Sequence, residues 1–169
     1  MRNQGLDLPL APNLSQESGQ ASVDLIRMLA VFAEAPASEH IHLWKTLGIG
    51  ESPSASDYAD IFLFQFYPYA SVHLGPEGML GGEAQNRVAG FWGALGRNPP
   101  SEPDHLAALL GLYATLSEQI GLAGKSSSEL SHFSEAEALM ITQGRDALLQ
   151  EHIAPWVPAY LERIIEIAT

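Results

Sequence analysis

The chain has 169 residues, 46% of them apolar, so a single domain with a packed core is expected rather than disorder. It has no cysteine, which removes disulfides, thiolate zinc sites, iron–sulfur ligation and a cysteine nucleophile, and which fits a reducing compartment. Twenty acidic residues against eight basic ones give a formal net charge of -12; this argues against a nucleic-acid binder or an anionic membrane surface, and it suits a positively charged partner, although charge alone reads first as keeping the protein soluble.

Residues 1–20 read as a flexible lead-in, with Gly5, Pro9, Pro12 and Gly19 and no apolar signal core. Residues 21–169 read as one all-α domain, a helical bundle of about seven helices. From about Ser22, Leu25, Ile26, Leu29 and Phe32 share a helical face, and Pro36 follows its end. A short amphipathic helix is expected over Ser38–Leu47, stopped by Gly48 and Gly50. Ser56 is expected to cap the most aromatic segment, Tyr58 to Tyr67, which reads as a helix or as a short strand ended by Pro68.

A loop is expected over Pro68–Gly82, then a helix marked by Val88, Phe91, Trp92 and Leu95 and closed by Gly96. Ser101-Glu102-Pro103-Asp104 reads as a helix start: a capping serine, proline in the first turn and an acid three residues after the serine. The apolar stretch that follows, around Leu106–Leu116, reads as too short to span a bilayer, so a soluble cytoplasmic protein without stable membrane insertion is expected. Gly121–Ser128 reads as a small-residue loop. Ser134 with Glu137 makes another capping box, and Leu161, Ile164, Ile165 and Ala168 mark a last helix after Pro155 and Pro158.

Little of the sequence carries chemistry. His40 and His42 fall on nearly opposite sides of a helix, and His73, His105, His132 and His152 are scattered, so no metal site is expected. There is no Gly-x-Ser-x-Gly elbow, and no catalytic residue or cofactor is expected. Gly124-Lys125-Ser126 looks like the end of a phosphate-binding loop, but Gln119 stands where such a loop needs glycine. Read from its residues alone, the chain is a helical interaction module.

Three segments resemble the TorD family of redox-enzyme maturation chaperones, which includes the DmsD and NarJ types. Phe64-Gln65-Phe66-Tyr67-Pro68-Tyr69-Ala70-Ser71-Val72-His73-Leu74 is similar to the family's aromatic-flanked proline loop. Glu102-Pro103-Asp104-His105 resembles its Glu-Pro-Asp-His segment, and His152 to Leu161, with Pro155-Trp156, resembles its His-x-x-Pro-Trp segment. The likeness runs from about Ser22 to the C-terminus, although residues 57–62 lack an arginine that members often carry there. The resemblance implies an all-helical cytoplasmic chaperone without catalysis, either monomeric or a domain-swapped homodimer. Its partner would be the apoprotein of a molybdopterin oxidoreductase, its twin-arginine signal peptide, or both. The contact residues implied are Tyr67, Pro68, Tyr69 and Ser71 in the loop, with Asp104 and His105 at the helix start. Cap and ligand contact are equally weighted for Asp104 and His105, whereas core packing and turn geometry weigh at least as much as contact for Tyr67 and Pro68. A generic helical adaptor and a small His/Asp hydrolase are the competing readings.

Overall fold

The computed structural model describes residues 14–48, 50–125 and 134–168. Among these residues the fold is all-helical, and the only strand-like pairing is an isolated antiparallel bridge between Tyr69 and His105. In chain order the α-helices are α1 (Leu14–Phe32), α2 (Ser38–Leu47), α3 (Ala55–Tyr58), α4 (Ala70–Leu74), α5 (Gly82–Ala94), α6 (Leu106–Lys125), α7 (Glu135–Ala147) and α8 (Val157–Ala168).

α6 is the central helix. Leu109, Leu112, Ala114 and Leu116 are buried along it, and Leu148, Ile153, Trp156 and Tyr160 close the core from the C-terminal segment. Fully burying a leucine such as Leu109 or Leu148 contributes about 1.5–3 kcal/mol, so these positions hold the bundle together. α1 runs antiparallel to α6: Arg27 pairs with Glu118, while Glu34, just past α1, shares a groove with Ala108 and Gly111. The apolar window of α6 spans Leu106–Ala123, long enough by composition to cross a bilayer, which corrects the shorter stretch read from sequence. In this fold that helix is packed by α1 and α7.

Several boundaries differ from expectation for local physical reasons. α1 starts at Leu14, inside the stretch read as a lead-in, because a polar exposed turn such as Glu17–Gln20 has no apolar period to reveal it. Residues 1–13 lie outside the described residues. α3 is capped by Ser54, whose hydroxyl accepts the Asp57 N–H while the Asp57 carboxylate accepts the Ser54 N–H. Ser56 has alanine three residues on and cannot form that reciprocal pair.

The aromatic segment is neither one α-helix nor a strand. Ala59–Leu63 widens into a π turn, with Phe64 N–H donating to the Ala59 carbonyl (3.1 Å) and Phe66 N–H to Ile61 (2.7 Å). A second π turn, Leu148–Ile153, extends α7. The Pro68–Gly82 loop contains the single turn α4. α6 begins at Leu106 rather than Ser101 and continues to Lys125, so Gly121–Lys125 is helix, and residues 126–128 lie outside the described residues. The Ser134–Glu137 capping box and the α2 stop at Gly48 (φ 65°) match expectation. α7 approaches α5 closely: a Cβ on Gly144 would lie 2.5 Å from Leu95 Cδ2.

Candidate functional site

The proline loop and the start of α6 are stitched together by backbone. The Leu106 N–H donates to the Pro68 carbonyl (2.7 Å), and the Ala70 N–H donates to the Asp104 carbonyl (2.9 Å). These two bonds bracket the Tyr69–His105 bridge and bury Pro68, whose missing N–H costs nothing there. Asp104 is 0% exposed, and its Oδ2 accepts the Ser71 N–H (3.0 Å) in the first turn of α4. The expected capping role is therefore exercised, but on a helix 33 residues away rather than on α6. Asp104 Oδ1 is buried without a hydrogen-bond partner among the described residues. The buried Ser71 hydroxyl accepts the Gly81 N–H (3.2 Å).

The C-terminal segment locks onto the other side of this loop. Trp156 stacks on His73 (4.6 Å, 8°), and the Tyr160 hydroxyl donates to the Phe66 carbonyl (3.2 Å). The three segments singled out in the sequence thus meet in one place.

Beside this junction lies a groove of about 770 Å³. Its floor is one face of α6, with Ala108, Gly111, Leu112 and Thr115 at helical spacing. Tyr58, Tyr69 and Trp92 give it an aromatic wall, and Glu34 and Glu102 are its acidic residues. Each aromatic is held: Tyr69 Oη donates to Glu102 Oε1 (2.8 Å), Tyr58 Oη to the Ala33 carbonyl (3.3 Å) and Trp92 Nε1 to the Pro103 carbonyl (3.3 Å). Burial, reinforced by Glu102, pushes both tyrosine hydroxyls above their ordinary range, so they remain donors.

His105 lines the groove at 8% exposure, edge-on to Tyr69 (4.8 Å). Its carbonyl accepts the Leu109 N–H (3.0 Å), and its Nδ1 accepts the Ala107 N–H (3.1 Å). It thereby caps α6. A ring that accepts at Nδ1 carries its proton on Nε2. Burial holds the imidazole below its ordinary pKa, against the pull of Glu102, Glu34 and Asp104.

The family model of the nitrate reductase delta subunit matches residues 13–162. The chain belongs to this family. It is 30% identical over 120 residues to the chaperone protein TorD of Vibrio vulnificus (strain YJ016), covering 66% of this chain and 52% of that relative. To the chaperone protein TorD of Vibrio cholerae serotype O1 (strain ATCC 39315 / El Tor Inaba N16961) it is 28% identical over 117 residues, covering 64% and 49%. The chain spans about half the length of the curated relatives it matches. No solved structure matches it. The TorD-type resemblance read from the three motifs is the same family assignment.

In this delta-subunit family chain, the six residues singled out from sequence separate by environment. Tyr69 and His105 line the groove. Pro68, Ser71 and Asp104 are buried behind it, and Tyr67 is exposed without lining it. Sequence reasoning passed over Tyr58, Trp92 and Glu34, which only the tertiary fold brings together along one groove over α6. Glu102 stood inside a recognised motif and was readable as a groove residue only through its contact with Tyr69.

A pH dependence follows from His105. Its folded-state pKa lies below the unfolded value of about 6.5, so the unfolded chain takes up the proton first. The corresponding stability is complete above about pH 6.5 and is lost as pH falls below it. Protonation would also place an N–H on Nδ1 against the Ala107 N–H. His105→Asn keeps an acceptor for the helix cap and does not titrate. Between pH 7.5 and 5.5 the parent is expected to lose more melting temperature than this variant. Parallel loss in both, measured by circular dichroism melts, would assign the pH effect to other groups.

Proposed function

We propose that this protein is a maturation chaperone that binds the precursor of a molybdopterin oxidoreductase in the cytoplasm and catalyses no reaction itself. The observation that carries this reading is the groove, which has carboxylates at the α6 N-terminal end and an apolar, aromatic-walled floor beside them. A twin-arginine signal has the complementary order, two arginines followed by an apolar run. The curated relatives are named chaperones, which supports the same reading. Of the residues the family resemblance implied, we assign direct contact to Tyr69 and His105. Pro68, Ser71 and Asp104 would shape the loop from behind, and Tyr67, exposed outside the groove, would contact the precursor at the loop's surface.

The test is calorimetry of the full chain against a synthetic twin-arginine signal peptide and against the apoprotein of a molybdopterin oxidoreductase. Binding to either is expected, weakening with salt because exposed charges are screened over about 8–10 Å near physiological ionic strength. Absence of binding to both, by folded protein, would leave the generic adaptor as the better reading.

A further inference from the structure

We propose that Glu34 and Glu102 form a two-sided carboxylate clamp for one arginine of the ligand, with neutral His105 beside them donating from Nε2–H to a backbone carbonyl of the same ligand. This rests on the reading that the groove takes the precursor's basic-then-apolar segment.

The two carboxylates come from different elements. Glu102 sits in the turn before α6 and is fixed by the Tyr69 hydroxyl, which occupies its Oε1 (2.8 Å). Glu34 sits in the connection after α1, where the Tyr58 hydroxyl anchors the neighbouring Ala33 carbonyl (3.3 Å). Both line the groove, and the charges of both reach His105 and Tyr58. Yet no ion pair joins either carboxylate to His105 among the described residues; Glu34 reaches only His40, at 3.8 Å. The acidic end of the groove is therefore built but left open.

His105 points independently to a ligand. It is only 8% exposed, its Nδ1 is spent on the Ala107 N–H, and its Nε2–H has no partner among the described residues. Among the described residues, the only side-chain polar atom both unpartnered and fully shielded is Asp104 Oδ1, so His105 Nε2 remains reachable from the groove it lines. A neutral imidazole N–H needs an acceptor, and a guanidinium has none. The ligand group facing it is thus a carbonyl, while the cation goes to the carboxylates.

The groove also has direction. Its basic lining residue, Arg97, is held by Gln119 (2.9 Å), and Gln119 lies about 20 Å along α6 from His105. A peptide is oriented with its arginine at the α6 N-terminus and its apolar run over Ala108 and Leu112 toward Arg97. Asp104, whose carboxylate belongs to Ser71, takes no part.

The test crosses variants with peptides by calorimetry at about 50 mM salt, using the full chain. The probes are a synthetic peptide with Arg-Arg before an apolar run and the same peptide with Gln-Gln. Glu34→Gln and Glu102→Gln are expected to weaken the Arg-Arg peptide about five- to tenfold and leave the Gln-Gln peptide unchanged. His105→Asn, which retains the α6 cap, is expected to weaken both peptides by a similar factor of about five. Melts of each variant confirm folding; in Glu102→Gln the side-chain amide oxygen still offers the Tyr69 hydroxyl an acceptor. Unchanged Arg-Arg binding in Glu34→Gln, or equal losses for both peptides in the glutamine variants, would overturn the clamp while leaving the groove reading intact. A parent protein that binds neither peptide nor apoprotein would overturn both.

Discussion

Gly111→Leu is expected to weaken binding of the precursor segment by about fivefold or more while leaving the fold at least as stable. Gly111 is a helical residue on the groove floor, and a Cβ built on it meets nothing within 4 Å. Glycine inside a helix costs roughly 0.5–1 kcal/mol relative to alanine, and leucine is nearly as good a helix former. Relief of that cost therefore acts on stability, and no atom lies within 4 Å of the added Cβ to oppose it. The backbone bond that Thr115 Oγ1 makes to the Gly111 carbonyl (2.8 Å) does not involve the added side chain. In the groove the leucine occupies space the ligand needs. Forcing extra methylenes against a packed partner costs about 1–3 kcal/mol, roughly five- to 150-fold in affinity. Gly111→Ala should raise the melting temperature with a much smaller effect on binding. Calorimetry and melts on the same preparations separate the two effects. A stable Gly111→Leu protein that binds as the parent does would place the contact surface elsewhere.

What could be read from the sequence follows from the range of the interactions involved. The Ser134–Glu137 capping box and the Gly48 stop depend on residues three or four apart, and both stand as read. Ser101-Glu102-Pro103-Asp104 has the same local pattern, yet its carboxylate serves Ser71 across the fold. Nothing in the spacing distinguishes a local cap from a distant one. The aromatic segment around Ile61 and Phe62 shows why period alone fails there. Its residues fit a helix or a strand, and the fold uses a π turn that places Leu63 against the groove. Glu34, Tyr58 and Trp92 come to line one groove only through the tertiary fold, which no local window contains.

Asp104→Ala is expected to destabilise the protein by about 2–3 kcal/mol. The Ser71 N–H is buried and has the Asp104 carboxylate as acceptor, at 3.0 Å. Leaving such a donor unpaired costs about 1–3 kcal/mol. The lost side-chain atoms also leave a small void beside the fully buried turn, which adds to the cost. One term runs the other way: Oδ1 has no partner, so removing the carboxylate relieves a desolvation penalty. The void and the orphaned N–H outweigh it, because Ser71 also receives the Gly81 N–H and holds the loop in place. For a chain of this size the loss corresponds to a fall of roughly 5–10 °C in melting temperature. Asp104→Asn separates the charge from the cap. Its side-chain oxygen still accepts the Ser71 N–H, so stability is expected within about 1 kcal/mol of the parent. Its affinity for the arginine peptide should also match the parent, because the carboxylate lies behind the groove wall rather than on it. A normal melt with a several-fold loss of arginine-peptide binding in Asp104→Asn would instead make this buried carboxylate part of the cation site.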